Sequence, residues 1–175
     1  MKEAVSMLTS LIIALLAGAQ VPETLDAALV PGYQRLRPGL AVAGKPTPEA
    51  LAKLKELGFK TVIDLRSEAE GLADEKVTVE GQGLRYVSVP MTAATFKLED
   101  AQAVGRVLDD PASGPVLLHC STSNRVGGVL AVLEAKAGKP VDDAIAAGRK
   151  AGLKSDVMVE AVKRVLAEPA PPPPR

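Results

Sequence analysis

Aromatic residues are almost absent from the sequence, which has two phenylalanines, two tyrosines and no tryptophan. A core must therefore be built from many aliphatic contacts, and alanine, valine and leucine are abundant enough to supply them. The formal net charge is zero. This balance excludes the strong positive field typical of nucleic-acid-binding proteins, so we expect no nucleic-acid partner.

Cysteine and histidine occur only once each. A single cysteine cannot form an internal disulfide, and a single histidine cannot build a site that needs several histidines. We therefore predict no metal and no cofactor. The two residues are neighbours, His119 and Cys120, which directs attention to the segment that contains them.

The one long apolar run lies at residues 7–17, behind Lys2 and ahead of small residues that end at Ala19. This pattern is typical of a secretory signal, so residues 1–19 are predicted to be a cleaved signal peptide. The run is too short for a comfortable membrane span. We expect a periplasmic or secreted protein with no stable span after cleavage, although a buried helix or an uncleaved anchor is the alternative.

The carboxyl terminus is rich in proline, which cannot continue a helix. Residues 169–175 are therefore predicted to form an extended, disordered tail. Length and composition leave residues 20–168 as a single domain.

Short apolar runs alternate with helical patterns along this domain. The predicted strands are 40–43, 60–65, 84–89 and 115–119. The predicted helices are 48–57, 98–108, 126–137, 142–151 and 155–166, with a weak helix within 66–82. The alternation predicts an α/β fold with a mainly parallel central sheet and helices on both faces. Ligands of such sheets lie beyond the carboxyl ends of the strands, so the loops after Leu65, Val89 and His119 are expected to meet.

The loop after His119 carries the candidate chemistry. Cys120 ends a predicted buried strand, and small polar residues lead from it directly into a helix. Successive N–H groups in such a turn form a concave anion site, and Arg125 adds a planar, permanently charged fork. We therefore predict Cys120 and Arg125 as catalytic residues, with the Cys120 thiolate as nucleophile and a small oxyanion or phosphorylated molecule as substrate. The predicted anion-binding residues are Ser121, Thr122, Ser123, Asn124 and Arg125.

Each of these assignments has a structural alternative. A lone cysteine is most often a small buried hydrophobic residue, but the polar turn and the arginine beside Cys120 favour a functional role. His119 points away from Cys120 by strand alternation, so we assign it a supporting role rather than that of a general base. Asp64 and Arg66 either support the site from the end of an earlier strand or form a surface ion pair.

The order of motifs resembles the tyrosine and dual-specificity phosphatase superfamily, in which a histidine–cysteine pair after a strand precedes an arginine. Residues 40–153 more closely resemble bacterial phosphatase-like proteins related to the domain fused to beta-lactamase-like hydrolases. The matching segments are 44–49, 58–66, 86–90, 120–125 and 147–153. The resemblance implies a cysteine-phosphatase-like fold, a nucleophilic Cys120, and oxyanion binding by Arg125 and the amides before it.

The sequence departs from the phosphatase pattern at three points. Four residues, rather than five, separate Cys120 from Arg125, a spacing seen in rhodanese-like sulfurtransferases and shared by related phosphatase-like proteins. Val126 replaces the hydroxyl residue that usually follows the arginine. No aspartate lies within 91–95, where the general acid normally lies, and the carboxylates at 99–100 look like first-turn helix charges.

Three functions are therefore compatible with the sequence. The overall resemblance favours a cysteine-dependent phosphatase-like hydrolase. A rhodanese-like sulfurtransferase with a persulfide on Cys120 needs no general acid and fits the short spacing. A non-catalytic anion-binding module is disfavoured, because binding alone would not require the thiol.

Cleavage after Ala19 predicts a mature protein that begins at Gln20, because the small residues before this bond are those that signal peptidase accepts. Mass spectrometry of the protein from its native host measures the terminus directly. A full-length chain found inside the cell would refute the prediction.

Overall fold

A central sheet of five strands organises residues 21–168, which are the residues that the computed structural model describes. The predicted signal peptide 1–19 and the predicted tail 169–175 lie outside the described residues. The strands are β1 (Gln34–Arg37), β2 (Leu40–Ala43), β3 (Thr61–Asp64), β4 (Arg85–Ser88) and β5 (Val116–His119). Their spatial order is β1-β2-β5-β3-β4, and only the β1–β2 pair is antiparallel. The predicted mainly parallel sheet is confirmed.

Helices follow the strands, as predicted from the alternating pattern. They are α1 (Pro48–Ala52), α2 (Ala73–Gly81), α3 (Leu98–Asp109), α4 (Asn124–Lys136), α5 (Val141–Lys150) and α6 (Asp156–Ala167), with a 3₁₀ turn at Glu68–Glu70. None of the helices within the described residues is long and apolar enough to cross a membrane.

The observed secondary structure differs from the prediction at two points. The first helix was expected to continue to residue 57, but it ends at Ala52, where the N–H groups of Lys53 and Leu54 bond to carbonyls three residues back. This tighter turn carries Leu54 into the core, where it is fully buried. Strand β1 was missed because its mostly polar residues lack apolar alternation and are held at the sheet edge by pairing with β2.

The sheet separates two apolar layers. Alternate strand residues such as Ile63 and Leu118 face one layer, which contains apolar residues of α3, α4, α5 and α6. Their neighbours Val62 and Leu117 face the other layer, with residues of α1 and α2. Helices therefore cover both faces of the sheet. Because side chains alternate along a strand, Cys120 lies on the same face as Leu118, in the layer that contains α3, α4, α5 and α6.

Helices α4 and α5 pack unusually closely at Gly127 and Gly148. A Cβ added at Gly127 would collide with the carbonyl of Gly148 and the amide of Leu153. The missing side chain lets the two backbones touch. This contact fixes the first turns of α4, and with them the orientation of Arg125.

We expect Gly127→Ala to lower the free energy of unfolding by about 1–3 kcal/mol, because the added methyl overfills a backbone contact. Gly81→Ala in α2 is the matched control, since a Cβ there meets nothing within 4 Å. Denaturant-induced unfolding of both variants tests the difference. Equal stabilities of the two variants would contradict this account of the packing.

Candidate active site

The loop after β5 turns sharply into α4. Cys120 follows the last residue of the strand, and the helix begins at Asn124. Ser123 makes the turn with a φ of 65°, in the left-handed region, and Gly152 packs against it so closely that a side chain there would clash. One left-handed residue thus completes the turn, which is how the short spacing brings Arg125 into the first turn of the helix.

The amides of this loop are available as donors. The Lys45 N–H donates to the Ser121 carbonyl at 3.1 Å, and Gly44 forms an isolated bridge with Thr122, so the loop is fixed from one side. In the described part of the chain, the N–H groups of Ser121, Thr122, Asn124 and Arg125 donate to no acceptor, while the N–H of Ser123 lies within the bridge between Gly44 and Thr122. Unused N–H groups at a helix start are the donors from which anion sites are built.

Cys120 lies beneath the loop and is 1% exposed. Its N–H donates to the Ala43 carbonyl at 3.4 Å, and its side chain packs with the apolar layer around α4. Burial of this kind fits both the nucleophile and the structural alternative. The burial of Cys120 therefore does not decide between the two roles, and the contacts of Arg125 give more information about the function of this loop.

The guanidinium of Arg125 joins three loops. Its Nη1 and Nη2 each lie 2.7 Å from a carboxylate oxygen of Glu70. Nη1 also donates to the carbonyls of Met91 at 3.0 Å and Leu65 at 3.3 Å. Nη2 also donates to the Ser121 hydroxyl at 3.0 Å. The loops after β3, β4 and β5 meet at this side chain, as the topology predicts.

Glu70 is held as a carboxylate. The N–H and hydroxyl of Ser67 donate to its Oε2 at 2.8 Å each, and the Ser121 hydroxyl donates to its Oε1. The hydrogen bonds from Arg125, against the opposing effect of burial, hold the pKa of Glu70 far below its usual range. The same pairing raises the pKa of Arg125, to which the nearby thiol of Cys120 also contributes.

Glu70 is the residue that the sequence analysis missed. The spacing of Ser67 and Glu70 is that of a capping box, which marks the start of a helical turn. That pattern could have singled out the carboxylate. Its pairing with an arginine 55 positions away could not have been read from the pattern.

The predicted supporting residues Asp64 and Arg66 form a buried ion pair rather than the surface pair considered as the alternative. Arg66 Nη2 lies 2.7 Å from Asp64 and 2.6 Å from Glu75. The hydroxyl of Tyr86 donates to Asp64 at 2.9 Å. Arg66 reaches the candidate site only through a long contact, 3.5 Å, to the Glu70 carbonyl.

His119 belongs to the same buried network and points away from Cys120, as predicted. Its Nε2 lies 2.7 Å from Glu75 Oε1, close enough for an ion pair but poorly aligned for a hydrogen bond. Asp64, Glu75 and His119 are close enough together to offer three ligands to a metal ion. Arg66 already bridges both carboxylates and neutralises charge there, so the donor set suits an ion-pair network better than a cation.

The parallel sheet and the cysteine–arginine loop define a phosphatase-like protein of the dual-specificity and tyrosine type. A family model described as DSP-PTPase phosphatase fused to NAD+ kinase matches residues 37–156. The chain belongs to this family. The predicted resemblance and the predicted cysteine-phosphatase-like fold are therefore confirmed.

Curated relatives are longer proteins. A beta-lactamase hydrolase-like protein of Agrobacterium fabrum is 29% identical over 96 residues, which cover 52% of this chain and 22% of the relative. A protein of the same name from Xylella fastidiosa is 27% identical over 113 residues, covering 62% and 26%. The chain spans about a quarter of the length of these relatives.

Several solved structures share the fold. A putative phosphatase from Shewanella putrefaciens has a TM-score of 0.63 and 21% identity, covering 81% of this chain and 95% of that chain. TpbA of P. aeruginosa, in complex with phosphotyrosine, has a TM-score of 0.63 and 21% identity, covering 87% and 91%. The core catalytic domain of a PP-IP phosphatase from S. cerevisiae, in complex with citrate, has a TM-score of 0.62 and 15% identity, covering 75% and 83%.

The buried network predicts a loss of stability in acid. Burial raises the pKa of Asp64, but the hydrogen bonds from Arg66 and the charge of His119 together lower it below its usual value. The ionised form therefore favours folding above about pH 4, the value for unfolded chains, and this contribution disappears as the pH falls further. Glu70 acts in the same direction.

We expect Asp64→Asn to destabilise the protein at neutral pH and to reduce the fall in stability below about pH 4. Denaturant unfolding of both proteins between neutral and acidic pH measures the two slopes. The slope should shrink rather than vanish, because Glu70 keeps its own lowered pKa. An unchanged slope in the variant would exclude Asp64 as its source.

Proposed function

We propose that this chain is an exported, cysteine-dependent phosphatase-like enzyme in which Cys120 is the nucleophile and the loop through Arg125 binds the oxyanion of the substrate. One observation carries the proposal: a buried thiol, a run of unused N–H groups and a firmly held arginine occur within six consecutive residues. The signal-like amino terminus supports export.

The names of structural relatives support the substrate class. TpbA of P. aeruginosa is described in complex with phosphotyrosine, and the S. cerevisiae PP-IP phosphatase in complex with citrate. Both ligands carry oxyanions. A phosphorylated substrate or another small oxyanion is thus the expected ligand of the loop here.

In the proposed reaction the Cys120 thiolate attacks phosphorus. A sulfur–phosphorus bond forms as the phosphorus–oxygen bond of the ester breaks, and the departing oxygen takes a proton. Water then hydrolyses the thiophosphate, which releases phosphate and returns the thiol. The amides before Arg125 would bind the equatorial oxygens of the transferring group.

Efficient hydrolysis needs a group that donates a proton to the departing oxygen of the ester. Glu70 is the carboxylate beside Arg125, but its lowered pKa keeps it ionised near neutral pH. The segment 91–95 contains no aspartate, and its Thr92 and Thr95 bond to each other in a closed turn. Loss of general-acid help typically costs about 10² to 10⁴ in rate, so alkyl phosphates should react poorly.

This lack of a donor favours sulfur transfer as a second candidate. The Cys120 thiolate would attack the outer sulfur of thiosulfate, forming a persulfide as sulfite leaves with the electron pair of the broken sulfur–sulfur bond. Sulfite is stable as an anion and needs no proton. Cyanide would then take the outer sulfur from the persulfide and release the Cys120 thiolate.

A single-turnover comparison tests both reactions. Purified protein is mixed with an activated aryl phosphate and, separately, with thiosulfate, and the mass of the protein is followed by rapid-quench mass spectrometry. We expect a thiophosphate or a persulfide adduct on Cys120, and none in Cys120→Ser. The thiosulfate adduct should accumulate more readily, because sulfite departs without a proton.

The result separates the three functions. Robust hydrolysis of phosphopeptides with no persulfide would identify an efficient phosphatase and a proton donor outside the groups described above. Adduct formation that persists in Cys120→Ser would refute the nucleophile. Tight oxyanion binding with no adduct from either reagent would identify a binding module.

A further inference from the structure

Lys45 lies beside the cysteine loop, in the segment that follows β2. Gly44 forms an isolated antiparallel bridge with Thr122, and the Lys45 N–H donates to the Ser121 carbonyl at 3.1 Å. Lys45 is thereby placed opposite Ser121. Opposite residues of an antiparallel pair carry their side chains on the same face, with Cβ atoms about 5 Å apart. The Lys45 side chain therefore starts next to that of Ser121.

The face shared by Lys45 and Ser121 is the face of the candidate active site. The Ser121 hydroxyl accepts from Nη2 of Arg125 at 3.0 Å and donates to Glu70. Both carboxylate oxygens of Glu70 are already bound by Arg125, and Oε2 is also bound by Ser67. The carboxylate is thus satisfied without Lys45, which leaves the ammonium available to a ligand of the loop.

The ammonium of Lys45 has no partner among residues 21–168. It forms no hydrogen bond and no salt bridge there, and the next carboxylate along the chain, Glu49, is paired with Lys53 at 2.9 Å. Lys45 is exposed, although its neighbours Gly44 and Pro46 are buried. A fixed backbone thus carries an unpaired positive charge at the rim of the anion site, where it would attract a second negative group of a substrate.

This charge bears on the missing proton donor. Without a general acid, the leaving group must depart as an anion, and a positive group beside it stabilises the charge that develops. A phosphate leaving group meets this requirement, because the second pKa of a phosphate monoester is about 6 and its oxygen needs no proton near neutral pH. The lysine at the rim and the lack of an aspartate at 91–95 therefore favour the same class of substrate.

We propose that Lys45 is a catalytic residue that binds the leaving group, and that the substrates are diphosphates, in which two phosphoryl groups share a bridging oxygen. The proposal rests on the proposed function of Cys120. The Cys120 thiolate attacks the terminal phosphorus, and a sulfur–phosphorus bond forms as the bond to the bridging oxygen breaks. The electron pair stays on that oxygen, which departs as part of an anionic phosphate paired with Lys45. Water then hydrolyses the thiophosphate and returns the thiol.

Binding of an unreactive diphosphate tests the contact. Methylenediphosphonate has a carbon in place of the bridging oxygen, and isothermal titration calorimetry compares its affinity with that of inorganic phosphate. We expect the wild-type protein to bind the diphosphonate about tenfold more tightly, as one added charge-assisted contact would give. Lys45→Gln should abolish this preference while weakening phosphate binding far less, and Lys45→Arg should keep most of the preference.

Single-turnover hydrolysis adds a readout that a purely structural role would not move. Lys45→Gln should slow the release of phosphate from inorganic pyrophosphate about 100-fold, the loss typical of removing one group that stabilises developing charge. Hydrolysis of p-nitrophenyl phosphate should slow far less, because its leaving group spreads the charge over an aromatic ring and has no phosphate oxygens for Lys45 to bind.

Lys136→Gln is the matched control, since it removes the same charge from an exposed lysine at the last residue of α4. This position is about 18 Å along the helix from the loop, beyond the distance at which salt screens exposed charges. We expect the preference for the diphosphonate and both rates of hydrolysis to be unchanged in this variant.

The outcomes separate this inference from the function on which it rests. A wild-type protein that binds phosphate but shows no preference for the diphosphonate would overturn the role of Lys45 alone. A preference that survives in Lys45→Gln, or that falls equally in Lys136→Gln, would do the same. Failure of the wild-type protein to bind phosphate, or pyrophosphate hydrolysis that persists in Cys120→Ser, would overturn the proposed function and this inference together.

Discussion

The ion pair between Glu70 and Arg125 is the interaction on which the candidate site depends. It links the turn after β3 to the first turn of α4, and the same guanidinium donates a hydrogen bond to a carbonyl of the loop after β4. Three segments that are remote in sequence are therefore oriented by one planar group. An arginine suits this task because its planar guanidinium holds its N–H donors in fixed directions, whereas a lysine would supply the same charge without fixed donor directions.

Strand alternation gives the end of β5 two separate environments. Cys120 enters the apolar layer beneath α4, while His119 enters a network of buried charges with Glu75 on the opposite side of the sheet. Burying charged groups is costly unless they are paired, and Arg66 provides the pairing. The network thus supports the strand that carries the cysteine without a direct contact between its charges and the thiol side chain.

Much of this arrangement could be predicted from the sequence. Apolar runs and helical periodicity are local signals, and they located four of the five strands and most helix boundaries. The polar turn between Cys120 and Arg125 was likewise predicted from its small polar residues. Burial of the Asp64–Arg66 pair and the role of Glu70 could not be predicted, because both depend on which distant loops share one edge of the sheet. The polar edge strand β1 was missed for a related reason: its stability comes from pairing with β2.

The contact between Gly127 and Gly148 has a consequence for the length of the loop. Because α4 is seated backbone-to-backbone on α5, the helix cannot slide to accommodate an extra residue before it. Each residue added to a helix start rotates the preceding chain by about 100° and shifts it by about 1.5 Å. An insertion between Cys120 and Arg125 would therefore have to bulge outward within the loop itself. A four-residue loop and a five-residue loop would therefore differ in the path of the loop, while α4 keeps its position against α5.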